Sequence, residues 1–218
     1  DMARIWPEDG DLALTLAVLE WESGDADAAR TRMVEIAEAG YREDEAWTYA
    51  GQIALGQRRY EEAATYFQNV RGAAFLQAQV QVAYAWQKLG RLEDARRLVQ
   101  NLRQQSPESA TMLFVAESEL LWRGQQAAES LAVLEAALET RPGDRDLRYA
   151  RAMAAERLGR IDVVESDLRL LLAETPQNAM LLNALGYTLA DRTTRYAEAQ
   201  QLIEQASALS PDDPAIID

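Results

Sequence analysis

Paired acidic side chains are the first feature of this 218-residue sequence that could carry chemistry. Two carboxylates close together can bind a divalent cation or divide acid and base work between them. Five such pairs occur, at Asp25/Asp27, Glu61/Glu62, Glu93/Asp94, Asp144/Asp146 and Asp212/Asp213. Histidine and cysteine are absent, which excludes zinc sites built on those residues, histidine bases, thiol nucleophiles and disulfides.

The elements that hold these pairs favour a structural role. Each pair stands where a helical pattern begins, and acidic residues in the first turn of a helix complement its dipole. Asp25 and Asp27 superficially resemble a calcium loop, but Ala29 and Arg30 follow where that loop needs a ligand and a glycine. Phosphate-binding glycine loops and the Gly-x-Ser-x-Gly motif are also absent. We therefore predict a protein without enzyme activity, cofactor or metal.

The overall charge narrows the classes of partner. With 36 acidic against 22 basic residues, the formal net charge is −14. Nucleic acids and anionic membrane surfaces select basic proteins, and no apolar run is long enough to span a membrane. The sequence therefore predicts no nucleic-acid partner and no direct membrane insertion. Hydrophobic residues make up 48% of the chain, which is enough for a packed core.

Three series of residues recur with a period near 34. The first is proline, with spacings of 35, 34 and 35 residues, at Pro107, Pro142, Pro176 and Pro211. The second is glycine, with spacings of 66, 34 and 35 residues, at Gly24, Gly90, Gly124 and Gly159. The third is a small residue, with spacings of 34, 32, 35, 34 and 35 residues, at Ala29, Ala63, Ala95, Ser130, Val164 and Ala199. Three series that share one period indicate a repeat array.

Each repeat has the pattern of two amphipathic helices joined by tight turns. Apolar residues three and four apart mark both helices of the third repeat, at Val82, Ala83 and Trp86 and then at Leu92, Ala95, Val99 and Leu102. The glycine after the first helix suits a left-handed backbone conformation. The proline after the second helix cannot continue it. The sequence therefore predicts an all-α fold.

The second and sixth repeats carry a recognisable set of residues. They read Trp47, Ala50, Gly51, Ala54, Tyr60, Ala63, Phe67 and Val70, and then Leu182, Leu185, Gly186, Leu189, Tyr196, Ala199, Ile203, Ala206 and Pro211. These residues resemble the tetratricopeptide repeat (TPR). The resemblance implies a right-handed superhelical solenoid of antiparallel helix pairs.

The repeat pattern predicts six units, at about 10–43, 44–75, 76–109, 110–144, 145–178 and 179–212. Residues 1–9, with Ile5-Trp6-Pro7, are interpreted as the end of a preceding repeat. Residues 213–218 are interpreted as the start of a further, truncated repeat. In the fifth unit, Arg148 stands where a large apolar residue is expected, and Leu147 or Tyr149 is the candidate to replace it.

In TPR proteins the first helix of each repeat lines the concave face. That register, here called the groove register, selects aromatic, amide and other side chains with few charges, at Thr15, Trp21, Thr48, Gln52, Tyr84, Gln87, Phe114, Trp122, Tyr149, Met153, Asn183 and Tyr187. Aromatic rings give large contact areas and amides pair with a peptide backbone, so the set predicts binding of proteins or extended peptide segments. The competing interpretation is that some of these side chains pack on neighbouring helices.

One known TPR ligand is disfavoured. Some TPR domains hold a C-terminal carboxylate with a clamp of lysine, asparagine and arginine. The groove register contains Asn183 but lacks the lysine and arginine of that clamp. A chaperone C-terminus is therefore a poor candidate ligand.

The C-terminal block carries a closer resemblance. It contains Asn183-Ala-Leu-Gly-Tyr-Thr-Leu-Ala-Asp191, Arg195-Tyr-Ala-Glu-Ala199 and Ser210-Pro-Asp-Asp-Pro-Ala-Ile-Ile-Asp218. This block is similar to long TPR proteins of Gram-negative bacteria, among them the outer-membrane lipoprotein adaptors of carboxyl-terminal processing proteases (the LbcA family). The resemblance implies a periplasmic scaffold, anchored to the outer membrane in its full-length parent, that presents cell-wall hydrolases to the protease. Two alternatives stay open: the TPR half of a larger enzyme such as a transferase, and a scaffold of an envelope polysaccharide export assembly.

Overall fold

The computed structural model describes residues 7–211, and these form twelve α-helices and no strand. The helices are α1 (Pro7–Glu22), α2 (Ala26–Glu38), α3 (Glu43–Gly56), α4 (Tyr60–Asn69), α5 (Phe75–Lys88), α6 (Leu92–Gln105), α7 (Ala110–Arg123), α8 (Ala127–Thr140), α9 (Arg145–Arg157), α10 (Ile161–Glu174), α11 (Ala179–Arg192) and α12 (Tyr196–Leu209). A short 3₁₀ turn at Pro107–Ser109 precedes α7. The all-α prediction is confirmed. None of the described helices is long and apolar enough to cross a membrane.

The chain divides into two compact units, Asp1–Pro107 and Glu108–Asp218. The N-terminal unit contains α1 to α6, and the C-terminal unit contains α7 to α12. Within each unit, helices that follow one another along the chain pack together, which is the arrangement of a repeat array. The finer division into six repeats stays a prediction.

Aromatic side chains and alanines fill the core of the N-terminal unit. Met33, Ile36, Trp47 and Phe67 lie in one buried cluster with many small residues. A Cβ at Gly51 of α3 would lie 2.7 Å from the Phe67 ring on α4. The absence of a side chain at Gly51 therefore lets these two helices pack closely.

Leucine dominates the core of the C-terminal unit. Its fully buried side chains include Leu113, Leu121, Leu134, Leu147, Leu168, Leu185 and Leu189. Leu147 thus supplies the apolar side chain that Arg148 does not, whereas Tyr149 is only half-buried. Of the two candidates for that position, Leu147 is the one that fills the core.

Left-handed residues separate the two helices of most repeats, and they correct the predicted glycine series. Gly24, Gly90 and Gly159 have φ of 92°, 77° and 69°, as the sequence predicts. Gly124 does not, because its φ is −82° and the next residue, Gln125, takes the left-handed conformation with φ of 63°. Arg58, with φ of 60°, fills the gap in the glycine series.

The two ends of the described region bear on three predictions. Helix α1 begins at Pro7, so residues 7–9 belong to the first helix and not to the end of a preceding repeat. Proline is tolerated in a first helical turn, where its missing N–H has no helical acceptor. Residues 1–6, the predicted truncated repeat at 213–218 and the pair Asp212/Asp213 lie outside the described residues.

Candidate protein-binding site

The twelve groove-register residues divide equally between the two units. Six lie on α1, α3 and α5 of the N-terminal unit and six on α7, α9 and α11 of the C-terminal unit. Thr15, Trp21, Gln52 and Tyr187 are exposed, and the other eight are half-buried. Every residue of the set therefore retains some accessible surface.

Two predicted residues on α3 line a recess of about 510 Å³ in the N-terminal unit. Thr48 and Gln52 form part of its wall. The lining, here called the α3 recess, is completed by Asp44, Glu45, Tyr49, Ala73 and Ala74. The Thr48 hydroxyl donates to the Asp44 backbone carbonyl at 2.6 Å, which fixes its rotamer and leaves its oxygen lone pairs as acceptors.

Aromatic packing extends this surface from α3 to α1. Trp21 meets Tyr49 edge-on, with ring centroids 6.0 Å apart and an interplanar angle of 75°, which is a favourable aromatic geometry. Trp21 is 37% exposed, so it braces Tyr49 and still presents part of its ring to solvent. Thr15 is not part of this group, since it does not line the recess.

The α3 recess is more charged than the sequence predicts. Asp44 accepts the backbone N–H of Arg71 at 2.6 Å, and Glu45 accepts from Arg42 Nε at 2.6 Å. An adjacent recess is lined by Arg42, Glu43, Asp44, Glu45 and Arg71. The two recesses share two acids, but the arginines line only the adjacent one. The expectation of a groove with few charges is therefore wrong here, because the acidic first turn of α3 lies beside the register.

Cations also reach the groove register elsewhere. Lys88 Nζ lies 5.3 Å from the centroid of the Tyr84 ring on the same helix. In the C-terminal unit, the Arg157 guanidinium lies 4.9 Å from the centroid of the Trp122 ring. Such contacts are attractive because the face of an aromatic ring is electron-rich. The rings of Tyr84 and Trp122 therefore already contact basic side chains of the same chain. Gln87 lies half-buried on the same helix as Tyr84.

The remaining predicted residues of the C-terminal unit differ in their surroundings. Phe114, Tyr149 and Met153 pack against its buried cluster, which is the competing interpretation given above. Tyr149 also lines a smaller recess of about 220 Å³. Tyr187 is 62% exposed on α11, and Asn183 lies half-buried on the same helix.

The acidic pairs within the described residues behave as helix starts. Asp25 accepts the Ala28 backbone N–H at 3.2 Å, and Asp144 accepts that of Leu147 at 3.0 Å. Both are side-chain caps of helix N-termini, which confirms their structural role. Within residues 7–211, no group of three or more acidic side chains is arranged to hold a metal ion.

Two features of the structure were not predicted from the sequence. The first is Tyr49, which lies three residues before Gln52 on one helix face and could have been selected by that spacing. The second is Asp167, whose side chain is fully buried. Asp167 accepts from Arg151 at 2.8 and 2.7 Å and from Arg148 at 3.4 Å, and the hydrogen bonds that Arg151 donates to Asp167 raise the pKa of Arg151. The charges of these three residues pair with one another within the protein. The cluster that they form therefore has a structural role.

Comparisons with known proteins agree with this architecture. A family model described as tetratricopeptide repeat matches residues 14–75 and 115–179. The TPR repeat-containing protein PA4667 of Pseudomonas aeruginosa is 40% identical over 169 residues, which are 77% of this chain and 29% of that protein. The chain thus spans less than a third of the length of this relative.

Solved structures show the same fold at low sequence identity. A tetratricopeptide repeat protein from Parabacteroides merdae is 17% identical, with a TM-score of 0.57 over 95% of this chain and 82% of the other. MamA from Desulfovibrio magneticus is 17% identical, with a TM-score of 0.52 over 78% of this chain and 97% of the other.

Proposed function

This chain belongs to the tetratricopeptide repeat family, and we propose that it is a non-enzymatic scaffold that binds extended segments of other proteins. The observation that carries the proposal is the α3 recess, because Thr48 and Gln52 were selected by register and line one cavity. TPR arrays typically act as protein-interaction scaffolds, which supports the same conclusion.

The lining of the α3 recess suits a peptide. Tyr49 offers a broad apolar face and is braced by Trp21, so little conformational freedom is lost when a ligand covers it. Gln52 is exposed and carries both a donor and an acceptor, as a peptide group requires. The hydroxyl oxygen of Thr48 is a further acceptor. Together these groups pair with a peptide backbone while the aromatic ring contacts a side chain.

We place the chain in a periplasmic adaptor that presents cell-wall hydrolases to a carboxyl-terminal processing protease, anchored to the outer membrane in its full-length parent. The support is the resemblance of residues 183–218 to such adaptors. A relative more than three times as long as the matched segment also leaves room for other regions to bind a second partner. An adaptor needs separate regions to bind its two partners.

The test is a pull-down from a Gram-negative envelope extract with this chain as bait. We expect recovery of a processing protease or of cell-wall hydrolases, and loss of that recovery in Gln52→Ala and Trp21→Ala. Both side chains are exposed, so neither change should unfold the protein. Thr15→Ala is the matched control, because Thr15 is exposed, belongs to the same register and lies outside the recess.

Three outcomes would count against the proposal. Recovery that is equal in Gln52→Ala, Trp21→Ala and Thr15→Ala would remove the α3 recess from the binding site. Loss of recovery in Tyr187→Ala alone would move the site to α11. Recovery of neither the protease nor the hydrolases by the unaltered chain would reject the adaptor role.

A further inference from the structure

We propose that the α3 recess takes an arginine or lysine side chain from the extended segment that it binds. The proposal rests on the proposed peptide-binding function and names the residue type that the recess selects. It rests on three observations about the cavity: the arrangement of its walls, the charges that line it, and the use of cations elsewhere in the register.

The walls of the recess match the two parts of a long basic side chain. Tyr49, Ala73 and Ala74 form an apolar wall, while Asp44 and Glu45 add carboxylates to the same lining. Lysine and arginine bury an aliphatic stem along apolar surface and keep the charged group at a polar site. A volume of about 510 Å³ admits such a side chain together with its peptide groups.

The lining of the α3 recess carries acidic side chains and no basic side chain to balance them. Asp44 and Glu45 contribute to two adjacent cavities, and in one of them Arg42 and Arg71 also belong to the lining. The lining of the α3 recess contains no basic side chain. A carboxylate has about four acceptor positions, so the bond from Arg42 to Glu45 leaves that group able to accept from a ligand.

The same register binds cations at other positions. Tyr84 has Lys88 above its ring, and Trp122 has Arg157 above its ring. In both cases an aromatic residue of a first helix meets a basic residue supplied by the chain itself. At the α3 recess, Tyr49 provides the aromatic face and two acids stand beside it, so the basic residue comes from the partner.

The test compares two peptides by NMR, using the full chain labelled with ¹⁵N. Each is a seven-residue Gly-Ser peptide, with either arginine or its uncharged isostere citrulline at the centre. We expect the arginine peptide to shift the backbone amides of Thr48, Tyr49 and Gln52, and to bind about fivefold to tenfold more tightly than the citrulline peptide. The preference should shrink at about 0.5 M salt, because exposed charges are screened.

Two conservative variants locate the effect. Glu45→Gln should reduce the preference for arginine to less than about twofold, since it removes one carboxylate from the recess. Glu43→Gln is the matched control, because Glu43 belongs to the same acidic turn but lines only the adjacent cavity. Equal loss in both variants would mean that the general negative charge of the turn is responsible, and would overturn the site.

The cation assignment and the peptide-binding function can fail separately. Equal binding of the arginine and citrulline peptides, with pull-down still lost in Gln52→Ala, would overturn the cation assignment alone. An arginine preference that maps to the recess, with pull-down unaffected by Gln52→Ala, would support the cation assignment and reject the proposed function at this site.

Discussion

The N-terminal and C-terminal units pack equivalent helix pairs with different side chains. In α3 and α4, Gly51 and Ala63 stand twelve residues apart, and Gly51 lies beneath the Phe67 ring. In α7 and α8, Ser118 and Ser130 occupy the same spacing, and their buried hydroxyls form a hydrogen bond at 2.8 Å. The same spacing therefore carries a small apolar pair in one unit and a hydrogen-bonded serine pair in the other.

The two units also differ in the charged side chains that they bury. Among its described residues, the N-terminal unit buries no acidic or basic side chain, and Gln79 is its one buried polar side chain. The C-terminal unit buries Asp167 completely, in contact with Arg148 and Arg151. A buried polar group is costly unless its hydrogen bonds are satisfied. The buried charge of Asp167 therefore lies in this core together with the arginines that satisfy it.

The largest expected effect tests that conclusion in the C-terminal unit. Asp167→Ala leaves two arginines without their acceptor, and should lower the free energy of unfolding by about 3 kcal/mol. Replacing Asp167 and Arg151 together by leucine should cost less, because the closely paired charges leave together and only Arg148 loses a contact, its longer one at 3.4 Å. Urea denaturation gives the free energies, and hydrogen exchange in α9 and α10 locates the change. Equal losses in the single and double variants would show that the ionic contact itself is unimportant.

The second effect concerns the aromatic packing of the N-terminal unit. Gly51→Ala places a methyl group against the Phe67 ring and should cost about 1–2 kcal/mol, since overpacking outweighs the gain in helix propensity. Phe67→Leu combined with Gly51→Ala should cost less than the sum of the two single changes. A double-mutant cycle of urea midpoints measures this coupling. Strict additivity would mean that the ring moves aside freely.

A smaller effect should appear equally in both units. Arg58→Gly and Gln125→Gly each relieve a non-glycine residue of a positive φ, and should stabilise the protein by about 0.5–1 kcal/mol. Gly90→Ala is the reverse control and should destabilise it by a similar amount. Melting temperatures measure all three. A lower melting temperature for both glycine variants would show that these side chains contribute contacts worth more than the strain.

The smallest effect is the dependence on pH of an ionic network in the C-terminal unit. Hydrogen bonds from Arg195 and then Arg169 lower the pKa of Glu165, and those from Arg169 and Arg195 lower the pKa of Glu198. A lowered pKa stabilises the fold at pH values above the ordinary pKa of glutamate, about 4.3, and this contribution is lost as the pH falls. All four side chains are partly exposed, so the gain is modest.

Arg195→Gln tests that pH dependence. The difference in urea midpoint between the original chain and this variant should be present at neutral pH and should shrink as the pH falls below about 4.5. Arg32→Gln is the corresponding change in the N-terminal unit, because Arg32 lowers the pKa of Glu20 there. A difference that stays constant with pH would mean that the arginine acts through packing alone.

Helices and their apolar faces were predictable because they depend on local spacing. The residues with a left-handed backbone conformation were harder to predict. The glycine series predicted a left-handed residue at Gly124, whereas the structure has it at Gln125. It gave no prediction at Arg58, because that residue is not a glycine. The small-residue series would have placed both correctly, because Arg58 and Gln125 each stand five residues before a member of it, Ala63 and Ser130. Position within a repeat was therefore a better guide than the identity of the residue.

The candidate site was predictable only in part. Register found Thr48 and Gln52. However, Asp44 and Glu45 of the α3 recess were not predicted, because acids in the first turn of a helix are common for reasons unrelated to binding. Asp167 could not be found, because a charged residue in an apolar stripe is acceptable only when a neighbouring helix supplies arginines. That condition depends on contacts between α9 and α10, which one sequence does not reveal.

The cluster of Asp167, Arg148 and Arg151 also has an evolutionary consequence. Loss of any one member leaves the charges of the others without a partner. The three positions should therefore change together during divergence, and chains in which only one of them has changed should be rare. In an alignment of related chains, an apolar residue at position 167 should accompany uncharged residues at 148 and 151. The cluster would then mark a lineage within the family more sharply than the leucines around it, which can exchange one at a time.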